Sequence, residues 1–271
     1  MITTAGKQAV VKYMASYNTT LGDSISVGIG SAAETINDAG LQLEVLRVPV
    51  DSVTANLNNL KLYYRAILPA DFVGKITEMG LWNESGSSIR SSVLSDFTDD
   101  TLWSYGVLDL TNPRFGASTL RLNTPSGVPV TSVSTISVPD LQAYYTGLDY
   151  VKLGIFCDAN SLSTTIKIGN DSANYIAKAF NLQPGYQILT AQLRDFTATG
   201  SPNPSSFAWC EITAIPINTT VSNFDYDVLS IQPSGILEDE SVLVSRKVLT
   251  SFGKQAGRTM EIQYVLNLVF A

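Results

Sequence analysis

The stretch KITEMGLWNESG at residues 75–86 has the character of a strand that ends in a polar turn. Asn, Ser and Gly favour tight turns, and a strand that enters such a turn is usually followed by a second strand that closes a hairpin. Two stretches could supply that strand. SSIRSSVLSDF follows directly at 87–97, whereas the more apolar SVLVSRKVLTSF lies far away at 241–252. The choice between them decides how the chain is divided into domains.

The composition favours a β-rich fold. The 271 residues are 45% hydrophobic and 15% charged, and the charged fraction lies below the typical value of about 25%. Neutral polar residues, mainly Ser, Thr and Asn, take the place of charged ones, as on the solvated faces of antiparallel sheets. The length is sufficient for one large hydrophobic core or two ordinary ones.

Charge and residue types argue against several classes of function. The net charge is −7 and the densest basic run is Arg246-Lys247, so no basic surface for nucleic acid is expected. No apolar stretch approaches about 18 residues, so no contact with a membrane through a spanning segment is expected. The sequence has no His, which removes the usual general base and zinc ligand. Asp225 and Asp227 resemble ordinary strand-edge residues rather than a glycosidase pair, and no enzymatic activity is expected.

The two cysteines, Cys157 and Cys210, each lie in an apolar run typical of a strand, LGIFCDA and FAWCEIT. The favoured interpretation is two buried thiols that act as small hydrophobic side chains, with no disulfide. A disulfide between neighbouring strands is the alternative.

One helix and four strands are predicted before residue 86. Val10, Met14 and Tyr17 recur at the spacing of one helical face, and Thr3 or Thr4 is a candidate N-cap. The strands are expected at SISVGIG, LQLEVLRVPV, LNNLKLYYRAIL and the opening stretch. The short connections between them favour antiparallel pairing.

The remainder of the chain is also predicted to be β. Short strand-like runs separated by Gly, Pro, Asn and Asp fill residues 101–233, a spacing typical of a β-sandwich or jelly roll. TMEIQYVLNLVF then alternates strictly, and one of its faces is formed by Met260, Ile262, Tyr264, Leu266, Leu268 and Phe270. A strand of that length needs partners of similar length, which 41–50 and 60–69 provide.

These patterns predict a mainly β protein in two parts. The first is an α+β scaffold, one N-terminal helix on an antiparallel sheet, formed jointly by residues 1–100 and 234–271. The second is a β-sandwich or jelly-roll domain at 101–233, inserted after the NESG turn. Insertions at exposed hairpin tips are tolerated because both ends of the loop already lie close together.

The scaffold segments resemble a module of bacteriophage virion proteins of the tail-fibre, collar or baseplate-associated type. The similar segments are ITTAGKQAVVKYMA, ISVGIGSAA, the opening stretch and VLVSRKVLTSF, followed by the final long strand. The resemblance covers roughly residues 2–90 and 236–271, and the long insertion departs from the pattern. It implies a structural protein located in the virion, with other virion proteins and copies of itself as partners. Tail and capsid-decoration placements stay open, and an adhesin without a virion role is the alternative.

The inserted part is similar, more weakly, to jelly-roll domains that include carbohydrate-binding modules, through LDYVKLGIFCD and the runs that follow it. The similarity implies a bacterial surface glycan as a candidate partner. The aromatic residues considered for stacking on sugar rings are Trp103, Tyr105, Tyr144, Tyr145, Tyr175 and Trp209. Tyr144, Tyr145 and Trp103 are the predicted glycan-binding residues. Trp209 lies beside Cys210 in an apolar strand and is predicted to pack in a core.

Acidic residues flank the predicted insert on both sides: Asp96, Asp99 and Asp100 before it, and Glu238, Asp239 and Glu240 after it. If the insert leaves and returns through one loop, these six carboxylates face one another and repel unless water or a cation separates them. Ca²⁺ prefers such oxygen ligands. A solvated hinge and a structural Ca²⁺ site are therefore the two interpretations, and no other cofactor is expected.

Overall fold

The computed structural model describes residues 1–15, 21–83, 91–136, 149–159, 161–217, 221–233 and 241–268. Within these ranges the protein is mainly β, as the composition predicts, with one α-helix and antiparallel strand pairs. None of the helices in the described ranges is long and apolar enough to cross a membrane.

The elements in chain order are α1 (Thr4–Met14), β1 (Ser24–Gly28), β2 (Glu44–Pro49), β3 (Ser52–Asn56), β4 (Lys61–Leu68), β5 (Gly74–Asn83), β6 (Ser92–Ser95), β7 (Val107–Asp109), β8 (Thr119–Thr124), β9 (Val130–Thr135), β10 (Tyr150–Cys157), β11 (Ser161–Asp171), β12 (Asn174–Asn181), β13 (Gly185–Gln192), β14 (Thr197–Thr199), β15 (Trp209–Pro216), β16 (Ser222–Gln232), β17 (Val242–Lys254) and β18 (Met260–Asn267).

The chain divides into two compact units. Unit 1 comprises Met1–Ser91 and Ser234–Ala271, and unit 2 comprises Ser92–Pro233. Unit 1 contains a sheet in the order β17-β5-β1-β2 and another in the order β18-β4-β3. The predicted first boundary, after residue 100, lies later than the observed one because β6 pairs with β16 of unit 2.

The opening stretch forms β5, and its partner is the distant candidate. β5 pairs antiparallel with β17, from Asn83 opposite Val242 to Gly74 opposite Lys254. The prediction that the hairpin is completed by the stretch at 241–252 is therefore confirmed. Residues 84–90, which include most of the NESG turn, lie outside the described residues.

The final strand matches its predicted alternation, because Ile262, Tyr264 and Leu266 of β18 are buried. β18 pairs along its whole length with β4. The described residues before 86 contain five strands rather than four. The missed strand is β3, whose SVTAN sequence is polar and whose residues are mostly exposed, so no hydrophobic alternation marks it.

The helix begins as predicted, but of its predicted face Val10 is buried and Met14 is not, and Tyr17 lies outside the described residues. Thr3 is the N-cap, and its hydroxyl accepts a hydrogen bond from the backbone N–H of Gly6. The buried residues are Gly6, Ala9 and Val10, whereas Met14 is 76% exposed. A Cβ on Gly6 would lie 1.9 Å from the carbonyl oxygen of Val244. The glycine therefore lets the helix backbone rest directly on β17, and this close approach, rather than the larger apolar side chains, selects the buried face.

A buried carboxylate joins the parts of unit 1. Glu78 of β5 is 0% exposed, and its oxygens accept hydrogen bonds from the backbone N–H groups of Gly30, Gln42 and Leu43 at 2.9–3.0 Å. The same carboxylate accepts from Nε of Arg246 on β17 at 3.0 Å. The Glu78 side chain thus binds both ends of the loop between β1 and β2, and it also binds β17, the strand that follows unit 2 in the chain.

The arginine in this network is fully engaged. Arg246 also donates to the carboxylate of Asp38 at 2.9 Å and to the carbonyl oxygens of Ala32 and Ala33. Its side chain is only 4% exposed. The ion pair with Glu78 and the hydrogen bonds to Asp38 keep the pKa of Arg246 above its ordinary value although burial opposes this. The guanidinium is therefore a buried charge that depends on its carboxylate partners.

Glu78→Ala should destabilise unit 1 by about 3–5 kcal/mol, because it leaves the buried Arg246 charge without its main partner and three backbone donors without an acceptor. The measurement is the free energy of unfolding from hydrogen exchange of β5 and β17 amides. Glu261→Ala is the matched control: the exposed Arg65–Glu261 pair spans 3.1 Å, so its loss should change stability by at most about 1 kcal/mol. Equal effects of the two substitutions would refute the central role of Glu78.

Unit 2 is a β-sandwich. A six-stranded sheet has the order β13-β10-β16-β8-β7, with β6 also paired to β16, and a five-stranded sheet has the order β14-β12-β11-β15-β9. Hydrogen bonds join their inner faces: the hydroxyl of Tyr226 on β16 meets that of Thr164 on β11 at 2.7 Å, and Ser161 and Ser222 meet at 2.8 Å. The prediction of a sandwich is confirmed.

Both cysteines belong to the interior of this sandwich. Cys157 lies on β10 and Cys210 on β15, and both are buried free thiols. Burial raises the pKa of Cys157 to about 12 and raises that of Cys210 further. Both thiols therefore stay protonated at neutral pH and act as small hydrophobic groups, as the sequence predicts.

Candidate functional site

The structure places Trp103 in the core of unit 2. Its side chain is 7% exposed, and its ring stacks on Phe97 with centroids 5.0 Å apart. A backbone bridge to Ser134 of β9 fixes this position. A ring so placed has no free face for a sugar, which removes Trp103 from the predicted glycan-binding set. Tyr144 and Tyr145 lie outside the described residues.

The described members of the acidic clusters act within local turns. Asp96 accepts from the backbone N–H of Thr98, and Asp99 accepts from the N–H and the hydroxyl of Thr101. Asp100 starts a short 3₁₀ turn. Glu238, Asp239 and Glu240 lie outside the described residues. Within the ranges that the structure does describe, no group of three or more acidic or Cys side chains is arranged to hold a metal ion.

A half-buried pair of aromatic rings lies on the outer face of the five-stranded sheet. Gly169 of β11 lies between Tyr175 of β12 and Trp209 of β15 in the strand register. The two rings have centroids 5.9 Å apart and an interplanar angle of 42°. We call Tyr175, Gly169 and Trp209 the aromatic platform. Its rings are half-buried, so part of each faces solvent.

The position of Trp209 corrects the prediction that it packs in a core. Cys210, Ile212 and Ala214 point inward and are fully buried, so the alternating register of β15 turns Trp209 and Glu211 outward. The place of Trp209 beside Cys210 in the apolar run FAWCEIT favoured core packing. Only the alternation that begins at Cys210 could have identified Trp209 as an outward residue.

The glycine in the platform is required by the close approach of its neighbours. A Cβ on Gly169 would lie 2.3 Å from the carbonyl oxygen of Asn174 and 2.6 Å from Cα and Cβ of Tyr175. No side chain can therefore occupy the central position of the platform. Gly169 itself is buried, and the rings of Tyr175 and Trp209 come together over it.

Polar side chains continue the face beside the platform. Nζ of Lys167 forms an ion pair with Glu211 at 2.6 Å and lies 5.0 Å from the ring centroid of Tyr175. Further along the sheet, the hydroxyls of Thr131 and Thr213 meet at 3.0 Å. The face therefore combines aromatic surface with hydrogen-bond donors and acceptors.

A network of amide side chains fixes the loops that border the platform. The Asn170 side chain accepts from the backbone N–H of Asn203 and donates to the carbonyl oxygens of Asn203 and Ser206. Asn174 similarly accepts from the backbone N–H of Ser201. The hairpin turn after β11 and the loop at 201–206 are thereby tied together. Side chains anchored on such a frame lose little conformational freedom when a ligand binds.

A second polar cluster lies on the opposite side of the sandwich. Asp225 of β16 is fully buried and forms a bidentate pair with Arg121 at 2.6 and 2.7 Å. Asp227 accepts from the backbone N–H of Phe115 at 3.1 Å and from the hydroxyl of Tyr186 at 2.6 Å. The interpretation of both aspartates as ordinary strand-edge residues is wrong, because β16 is a central strand. They hold a connecting segment of the chain against the six-stranded sheet.

Burial dominates the titration of Asp227. It raises the pKa of this carboxyl to about 6, although hydrogen bonds from Tyr186, Phe115 and Arg114 favour the charged form. The native state therefore binds a proton on Asp227 in a range where an unfolded aspartate, with a pKa near 3.8, has lost it. The stabilising contribution of this group is present below about pH 4 and is lost as the pH rises through about 6.

Asp227→Asn should remove this pH dependence. Between pH 4 and pH 6.5 the wild-type unit 2 should lose about 2 kcal/mol of stability relative to the variant, because this range covers most of the interval between the unfolded and folded pKa values of Asp227. Urea unfolding of both proteins at the two pH values measures the difference. Asp171→Asn is the contrasting control, because hydrogen bonds from Ala173 and Asn174 lower the pKa of that exposed carboxyl, so its effect has the opposite sign. Parallel pH profiles for wild type and Asp227→Asn would contradict the assignment.

Comparison with known proteins shows distant likenesses confined to part of the chain. No family model matches the sequence, and no curated protein matches it. Among solved structures, it is similar to a family 11 carbohydrate-binding module from Clostridium thermocellum bound to a β-1,3-1,4-mixed-linked tetrasaccharide, with a TM-score of 0.43 and 9% identity over 55% of this chain and 98% of that one. It is also similar to a family 30 carbohydrate-binding module, with a TM-score of 0.39 and 17% sequence identity over 56% of this chain and 95% of that module. A third similar structure is an exo-β-agarase, with a TM-score of 0.42 and 11% sequence identity over 54% of this chain and 25% of the enzyme. With TM-scores below 0.5, these likenesses assign no activity or ligand.

Proposed function

We propose that the protein is a non-catalytic structural component of a bacteriophage virion. In this proposal unit 1 attaches to the particle and unit 2 contacts a glycan on the bacterial surface. The observation that carries the glycan-binding part is the aromatic platform, and the resemblance of the scaffold segments to a virion module supports the attachment part.

The platform has the features that sugar recognition needs. One side of a hexose ring presents C–H groups that stack on aromatic faces, while its hydroxyls project at the rim and require polar partners. Tyr175 and Trp209 offer two such aromatic surfaces, each partly exposed to solvent, on either side of Gly169 in the strand register. Lys167 and Glu211 offer donors and acceptors beside the Tyr175 ring. An open face of this kind suits a glycan chain that extends beyond a single sugar.

The motif residues of unit 1 support the attachment part of the proposal through their structural roles. Gly6 seats the helix on β17, and Glu78 and Arg246 join β5 to β17. These residues lie in the AGK, ITE and VSRK portions of the similar segments. They close the scaffold whatever lies between β5 and β17, which makes this turn a suitable place for an inserted domain.

Many copies on a symmetric particle would strengthen a weak glycan contact. Virion components act in repeated copies related by symmetry, and linked binding events raise the overall avidity by about 10²–10⁴ without new contacts. Attachment as a tail, collar or fibre component is the placement that the module resemblance favours, and decoration of the capsid is the second placement. A carbohydrate-binding adhesin without a virion role uses the same platform and is the competing proposal.

Replacing either platform ring should weaken glycan binding while leaving the fold intact. On a glycan array, Tyr175→Ala and Trp209→Ala should each weaken the binding of the wild-type ligands by about tenfold, since a stacked aromatic contact contributes about 0.5–1.5 kcal/mol beyond its buried area. Tyr105→Ala is the matched control, because Tyr105 is an exposed tyrosine of unit 2 outside the platform. Glycan binding that survives both platform substitutions would refute this site.

The virion assignment has its own test. Mass spectrometry and immunogold labelling of particles purified from an expressing culture should detect the protein at many copies per particle. A protein that is absent from particles and recovered with the cell surface would overturn the virion role in favour of the adhesin.

A further inference from the structure

We propose that the ion pair of Lys167 and Glu211 makes the aromatic platform selective for uncharged glycans. This inference rests on the proposed glycan-binding function and adds the class of glycan and the residues that select it. It also predicts how the selectivity changes when either charge is removed.

The ion pair lies at the centre of the polar part of the face. Lys167 is opposite Glu211 in the register of β11 and β15, one outward position along from Gly169 and Trp209. The Nζ–Oε1 distance is 2.6 Å, and the two side chains are 27% and 15% exposed. A ligand that stacks on Tyr175 and Trp209 therefore meets both charged groups at its edge.

These two residues carry the charge beside the platform rings on the strands themselves. The other outward positions before the hairpin turn of β11 and β12 are uncharged: Thr131, Val133 and Thr135 of β9, Ser163 and Thr165 of β11, Tyr175, Ala177 and Ala179 of β12, and Trp209, Thr213 and Ile215 of β15. Asp171, at the turn that ends β11, is exposed, and its carboxylate accepts hydrogen bonds from Ala173 and Asn174. Because Lys167 and Glu211 neutralise each other, the strand positions around them present no net charge to a ligand.

The paired groups still have hydrogen-bonding capacity for a sugar hydroxyl. An ammonium has three N–H donors and a carboxylate has about four acceptor sites, and the ion pair uses few of them. A hydroxyl both donates and accepts, so it can bind the two partners together without separating them. A carboxylate or sulfate on the ligand can approach Lys167 only beside the like charge of Glu211. An amino sugar meets the same difficulty from Lys167.

The ion pair is a weak contributor to folding, which makes the proposal testable. A partly exposed ion pair between neighbouring strands contributes little to the stability of a protein. Substitutions at Lys167 or Glu211 should therefore leave unit 2 folded. A purely structural role would change the melting temperature slightly and would leave the charge preference of the ligand unaltered.

The experiment is a glycan array that includes matched pairs, in which the two glycans differ only by a uronic acid in place of a hexose, by a sulfate, or by a free amine in place of an acetamide. The full-length wild-type protein should bind the neutral member of each pair about tenfold more tightly than the charged member. Glu211→Gln frees the positive charge and should reverse this preference for the acidic glycans. Lys167→Met should weaken the binding of all acidic glycans further.

The exchanged variant, Lys167→Glu with Glu211→Lys, restores a neutral pair and should recover the wild-type preference for uncharged glycans. Wild-type binding that favours acidic glycans through Lys167, or a charge preference that Glu211→Gln leaves unchanged, would overturn this inference while the glycan-binding function stands. A wild-type protein that binds no glycan on the array would overturn both.

Discussion

The buried carboxylate of Glu78 is the interaction on which the organisation of unit 1 depends. A charged group with no exposed surface persists only when partners replace its lost hydration, and here three backbone N–H groups and Arg246 do so. These partners come from a loop early in the chain and from a strand near its end. The ion pair therefore requires both segments of unit 1, because Glu78 belongs to the first segment and Arg246 to the second.

Unit 2 carries the candidate site on one face of its sandwich. Its inner faces hold the apolar residues, the buried thiols and the bridging hydroxyls of Tyr226 and Thr164. Its two outer faces differ sharply. On the outer face of the six-stranded sheet, Asp225 and Asp227 accept hydrogen bonds from other residues of the chain. On the outer face of the five-stranded sheet, Tyr175 and Trp209 are partly exposed to solvent. The difference between occupied and available polar surface distinguishes the structural cluster from the candidate site.

Local patterns predicted much of the fold and little of the site. The alternation of β18 and the partner of β5 follow from hydrophobic period and strand length. The strand β3 could not be predicted in this way, because its polar sequence has no hydrophobic period. The buried face of α1 could not be predicted either, because the contact between Gly6 and Val244 selects it. Trp103 was predicted to bind a glycan and is buried, whereas Trp209 was predicted to be buried and is partly exposed. The face of a strand on which a ring lies depends on the register of strand pairing. Asp225 and Asp227 gained their roles from a central position in the sheet, which only the tertiary pairing reveals.

The pairing of β5 with β17 also constrains how the molecule is made. Asn83 and its partner Val242 are separated by roughly 160 positions, so the central strand pair of unit 1 has no template until the whole of unit 2 has been translated. At a translation rate of roughly 5–20 residues per second, the ribosome needs on the order of 10–30 s to make the residues between β5 and β17. During this interval the strands of unit 2, which are contiguous in sequence, are synthesised one after another, and the last of them, β16, precedes β17. All strands of unit 2 are therefore available for pairing before the two segments of unit 1 can be joined through β5 and β17.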